Sequence, residues 1–139
     1  MKYIIFLLIT LSTILNAGDS HWEKMIIEKI LQSVSNQKEL SIYTQDDNVL
    51  TMLKGIKNIH ISHSCEKADF ILAKLDNNTL CNKPELLFSY NEYRHSSSAI
   101  GVFFWQKGRP TIRFSSQRLK FFGLHVDGEL SKFVTLKAY

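Results

Sequence analysis

The chain has 139 residues, 45% hydrophobic, 22% charged and 12% aromatic, with a formal net charge of +4. That composition excludes a disordered or fibrous chain, and the length suits one domain with one core. The Lys and Arg residues are dispersed, with no cluster dense enough for a nucleic-acid interface, so the small excess only aids approach to an anionic surface or an acidic partner.

The chain opens with MKYIIFLLITLSTILNA: Lys2 supplies a positive start, Tyr3 to Leu15 carries no charge, and Leu15-Asn16-Ala17 ends on a small residue. The apolar run is shorter than the ~20 residues of a membrane span. The pattern predicts a secretory signal peptide over residues 1–17. Cleavage would release a domain over 18–139 into the periplasm, with no stable membrane insertion. Gly18 stands where a lipid-attachment cysteine would be needed. In that oxidising compartment one disulfide between Cys65 and Cys81 is the economical reading, two free buried thiols the alternative.

From about Glu23 to Val34, Met25, Ile26, Ile27, Ile30, Leu31 and Val34 fall at helical spacing and predict an amphipathic helix. Leu40 to Thr44 alternates as a first strand. Asp46 or Asp47 is placed to cap a short helix through Leu50 and Leu53, ended by Gly55. A second strand follows at Ile59–His63, then a polar turn containing Cys65. Ala68 to Leu75 is a continuous apolar run, as expected of a strand covered on both faces, and Leu86 to Tyr90 is a fourth strand. Residues 91–98 read as a loop.

Ala99 to Trp105 and Pro110 to Phe114 form two strands joined by Gln106-Lys107-Gly108-Arg109, a hairpin with glycine in its turn. Ser116 is placed to cap a helix from Gln117 to Phe122 closed by Gly123, and Asp127 to cap a final short helix carrying Leu130, Phe133 and Val134. The expected fold is a single small α/β domain with a mixed, mostly parallel sheet, a C-terminal β-hairpin and short terminal helices. One tension arises: only Ser64 to Ala68 links the second and third strands, whereas neighbouring parallel strands need a crossover of a dozen residues or more.

Chemistry-bearing patterns are sparse. His60 and His63 point to opposite faces of a strand and cannot chelate one ion. His63 with Cys65 supplies only two ligands, and His21, His95 and His125 are scattered. No nucleophile elbow, phosphate loop, CxxC pair or paired carboxylates stand out. Neither catalysis nor a cofactor nor a metal is expected. Trp105, Arg109 and Arg113 flank the hairpin turn as a possible recognition surface.

The stretch IGVFFWQKGRPTIRFSSQRLKFFGLHVDGELSKFV resembles the C-terminal half of the YfiR-like family of small periplasmic regulatory proteins. The matching positions are Ile100, Gly101, Phe103, Gly108, Ile112, Phe114, Leu119, Gly123, Leu124, Val126 and Leu130, and CEKADFILAKL is similar to the family's central strand; together they span residues 65–134. The chain departs from the family pattern at Ser115-Ser116, where an asparagine is usual, and in the helical EKMIIEKILQSV segment. The resemblance implies a non-catalytic periplasmic regulator that binds and modulates an inner-membrane signalling protein, a diguanylate cyclase or a sensor kinase. The contacts expected are Tyr93, Arg94, Trp105, Arg109 and Arg113. The alternative is a small-ligand-binding module resembling a reduced solute-binding domain, using the crevice at the strand ends near Asp46, Cys65 and Asn77.

Overall fold

A computed structural model describes residues 21–135; the expected signal peptide lies outside the described residues. Helix α1 (residues 21–34) buries the stripe Ile27, Ile30, Leu31 and Val34. Strand β1 (Leu40–Tyr43) buries Leu40 and Ile42 on the same side. Asp46 is the cap of α2 (Asp47–Leu53): its Oδ1 accepts from the amides of Asn48 at 2.9 Å and Val49 at 3.0 Å. Gly55, at φ 87°, turns the chain toward β2 (Ile59–Ile61).

The remaining strands are β3 (Phe70–Leu72), β4 (Glu85–Leu87), β5 (Ala99–Gln106), β6 (Arg109–Ser115) and β7 (Val134–Thr135). The sheet runs β2-β1-β3-β4-β5-β6-β7, parallel throughout except for the antiparallel β5–β6 hairpin. It is the α/β domain with a mostly parallel mixed sheet that the sequence predicts. The hairpin turn is tight because Lys107 (φ 50°) and Gly108 (φ 74°) both take positive φ, as a two-residue type I′ turn requires.

The tension over the second and third strands dissolves in the strand order. β1 lies between β2 and β3, and Ile42 pairs with both Ile61, the last residue of β2, and Phe70, the first of β3. β3 begins at the level where β2 ends, so the link crosses β1 sideways without having to travel back along the sheet. A 3-10 turn at Cys65–Lys67 and a 2.8 Å bond from the Ser41 amide to Asp69 Oδ2 hold that link.

Several boundaries differ from expectation, each for a local reason. β3 stops at Leu72 because Ala73 adopts φ 69°, outside the extended region. The fourth strand ends at Leu87, since the Ser89 hydroxyl accepts from the Glu92 amide and starts helix α3 (Tyr90–His95) where a loop was expected. Ser115, rather than Ser116, caps α4 (Ser116–Phe121). Asp127 precedes a 3-10 turn, Gly128–Phe133, without a side-chain cap bond, and Val134 enters the unforeseen β7.

One face of the sheet carries the main core, packed by α1, α2 and Leu119 of α4. The other carries a smaller core of Leu87, Tyr93, Ala99 and Val102, with Tyr90 and Phe104 against it, beneath α3. The faces are switched in register by a bulge in β5: Glu85 pairs with Ala99 but Leu86 with Gly101, leaving Ile100 extra. Gly101 is needed there. A Cβ would meet Phe114 Cδ1 at 2.7 Å and the Arg113 carbonyl oxygen at 2.9 Å, and the backbone atom cannot swing aside.

Candidate functional site

Two clefts lie on opposite faces of the sheet. The first, about 590 Å³, is formed on the α1–α2 side at the carboxyl ends of the parallel strands. Phe88, Phe103 and Trp105 wall it, with Glu23 and Lys24 of α1 and Asp46 and Met52 from the α2 region. Trp105 is 41% exposed, its indole Nε1 donates to Glu23 Oε1 at 2.8 Å, and its ring meets Phe103 edge-on with centroids 6.0 Å apart. The hairpin end is thereby tied to the start of α1.

The second cleft, about 520 Å³, is polar. Its floor is Glu85 and Leu87 of β4, and its walls are the segment Lys74–Cys81 on one side and Asn91, Glu92, His95 and Ser96–Ser98 on the other. Toward the carboxyl ends of β1 and β3 it continues into a shallow space bordered by Gln45, Asp46 and Asp76. From β1 the chain goes outward to β2, whereas from β3 it proceeds the other way to β4 and β5. The carboxyl ends of β1 and β3 therefore flank the point where the winding reverses, the usual ligand position in an open α/β sheet.

The wall over this cleft is pinned. Gln45 Oε1 accepts from the Asp76 amide at 2.7 Å, Gln45 Nε2 donates to Thr79 Oγ1 at 2.9 Å, and Thr79 Oγ1 donates to Asp76 Oδ1 at 2.6 Å. The Thr79 hydroxyl, helped by neighbouring amides, holds the Asp76 carboxyl below its ordinary range. Glu85 lies at the opposite extreme. Only 9% exposed, it accepts from Ser98 Oγ at 2.9 Å. Burial lifts its carboxyl above the usual range and the Glu92 charge adds to this, while Ser98 and Lys74 oppose it.

Because the folded-state value of Glu85 exceeds the unfolded one, its contribution is stabilising in acid and is lost as pH rises through the raised value. The isosteric Glu85→Gln protein should therefore gain stability relative to the parent as pH rises from the ordinary carboxylate value of 4.5 through the raised one. Thermal melts of both proteins across that range check this; an unchanged difference would refute it.

The expected contact residues separate. In the hairpin Trp105 pairs with Pro110, Gln106 with Arg109, and Val102 with Arg113. Directly paired residues share a face and neighbours along a strand do not. Trp105 therefore sits on the α1 face, and Arg109 and Arg113 on the α3 face. Arg113 stacks over Tyr90 at 5.1 Å and donates to its hydroxyl at 3.2 Å. Arg94 and Arg109 are exposed. Tyr93 is a correction: at 2% exposure it is a core residue, because α3 turns it inward. Its hydroxyl has no hydrogen-bond partner among the described residues.

No protein-family model matches the chain, and no curated protein matches it at a significant level. The residues themselves must carry the functional argument.

Two were missed in the sequence. Glu85 stands just before the strand expected at Leu86 to Tyr90, whereas β4 begins at Glu85 itself. Arg118 carries no signal of its own within the helix expected from Gln117 to Phe122. It instead crosses to the α3–β5 link, donating to the carbonyls of Ala99 at 2.9 Å, Tyr93 at 3.4 Å and Ser96. The cysteines are adjacent free thiols, not the expected bond: Cys81 contacts Cys65, and burial with that hydrogen bond pushes the Cys81 thiol up to about 12. His60 faces Glu39 at 3.4 Å and His125 faces Asp127 at 3.1 Å. Among the described residues no three His, Cys, Asp or Glu side chains converge to hold a metal, and no helix is long and apolar enough to cross a membrane.

Proposed function

We propose that this chain is a non-catalytic, exported regulator that binds the periplasmic part of an inner-membrane signalling protein, a diguanylate cyclase or a sensor kinase. The observation that carries the reading is Trp105, a large aromatic 41% exposed at the mouth of an aromatic-walled cleft. Truncating a partly buried tryptophan anchor of this kind commonly costs a complex 2 kcal/mol or more, roughly 30-fold in affinity. Arg109 lies at the adjoining turn, and the YfiR-like resemblance of residues 65–134 supplies the class of partner. The tagged mature protein, incubated with detergent-solubilised membranes, should recover a cyclase or sensor kinase, and the Trp105→Ala protein should lose it. Recovery of soluble proteins alone, or equal recovery by the variant, would overturn the assignment.

Export would also expose Cys65 and Cys81 to oxidation, and their contact as thiols favours closure of a disulfide. The loop enclosed, about 15 residues, is worth ~3 kcal/mol on the chain-entropy model. Intact mass of protein isolated from an oxidising compartment should fall short of the reduced mass by two hydrogens. A fully reduced mass would refute closure.

The second reading, a small-ligand-binding module, is favoured by the polar cleft leading to the reversal point between β1 and β3.

A further inference from the structure

We propose that the polar cleft over β4 is a binding site for a small hydroxylated primary amine, whose ammonium group is received by Glu85. This rests on the small-ligand reading and adds the chemical class of the ligand.

Glu85 carries the inference. A carboxylate in the middle strands of a sheet is costly to bury unless each oxygen is compensated, and Leu86 and Leu87 show what the strand otherwise selects. Ser98 compensates one oxygen, Oε2. No hydrogen bond reaches Oε1 among the described residues, yet Oε1 is not among the sealed, unpartnered atoms. It is therefore accessible, in a residue that lines the cleft. A buried acceptor with one unused, accessible oxygen beside a cavity is a position for a donor.

The surroundings specify what kind of donor. Asp76, Glu85 and Glu92 line the cleft against Lys74 and His95, so the field favours a cation. A metal ion is not the occupant the donor set suits, because no three metal-ligating groups converge. A single carboxylate oxygen with hydroxyl and amide neighbours matches an ammonium group instead. Asn91 and Ser97 add polar groups at the rim, suited to hydroxyls on the ligand. The cleft falls within the usual range of small-molecule sites. Its wall is already fixed by the Gln45–Asp76–Thr79 bonds, so little ordering would be required on binding.

The test is calorimetric titration of the whole mature protein with glucosamine, and with glucose and glucuronate as neutral and anionic counterparts of the same ring. Glucosamine should bind saturably and at least about tenfold more tightly than either counterpart. Glu85→Gln should weaken it by about tenfold or more, while Trp105→Ala leaves it unchanged. If Glu85→Gln fails to fold, amide shifts in the parent protein decide: glucosamine should move Glu85, Asn91 and Ser98, and shifts confined elsewhere overturn the site. Tighter binding of glucose or glucuronate overturns the ammonium assignment but leaves a small-ligand module standing. Binding of none of the three overturns this proposal and counts against that wider reading as well.

Discussion

Replacing Phe114 with alanine should destabilise the domain by about 3–5 kcal/mol, the range for deleting a fully buried aromatic ring. Phe114 is completely inaccessible and belongs to the main core on the α1–α2 side of the sheet. It pairs with Gly101, and the missing side chain of that glycine is the space its ring occupies. The void left by alanine would be bordered by backbone of β5 and β6, which cannot collapse into it without breaking the hairpin ladder. Since a domain of this size has about 5–15 kcal/mol in total, the loss should be plain in urea unfolding as a lower midpoint at unchanged slope. A shift equivalent to less than about 1 kcal/mol would show that the ring is not the keystone of this layer. Phe114→Leu should recover much of the loss by refilling part of the volume.

Replacing Arg118 with alanine should cost about 3 kcal/mol, through hydrogen bonds rather than volume. Its guanidinium lies 5.1 Å over the Tyr93 ring and donates to three carbonyls, those of Tyr93, Ser96 and Ala99. Two of these belong to the last turn and cap of α3, where the Tyr93 carbonyl otherwise accepts only the Ser96 amide at 3.3 Å and a cation is favoured by the helix dipole. Alanine would leave the acceptors to whatever water reaches them and would free the link from α3 into β5. Lysine should restore only a minor part, because a single ammonium cannot reproduce the planar fork and the stacking together. Urea unfolding of both variants, with near-ultraviolet circular dichroism to follow Tyr93, checks this. Equal stability of Arg118→Lys and the parent would show that charge alone suffices. A loosened α3 should also widen the polar cleft, which shares Asn91, Glu92 and Ser96–Ser98 with that link.

The two clefts were legible to different degrees. Trp105 stood out because an aromatic beside a glycine turn is visible along the chain, yet grouping it with Arg109 and Arg113 ignored the pleat, which sends neighbours along the strand to opposite faces. The polar cleft draws on residues 74–81, Glu85 and residues 91–98, segments that read as turns and loops because their organisation comes from contacts between them. The strand-end crevice was expected near Asp46, Cys65 and Asn77; the cleft reaches Asp46 and Asn77 but is not lined by Cys65, and Glu85 at its floor was not foreseen.

By itself the sequence determined the elements whose signals are local. The apolar stripe of α1 follows from helical spacing, the hairpin from the glycine within Gln106–Arg109, and the start of α2 from the Asp46-Asp47 pair, of which Asp46 is the cap. Together these led to a small α/β domain with a mostly parallel sheet and a C-terminal hairpin, as found. Tertiary structure decided the rest, because it depends on partners distant along the chain. β1 was inserted between β2 and β3, and the offset of those two strands let a short link cross it. Tyr93 was turned into a second core by the face of the sheet that α3 covers. Arg118 acquired its role only when α4 came to rest beside the end of α3. Glu85 became a buried acceptor because the segment before it and the helix after it enclose the same patch of β4.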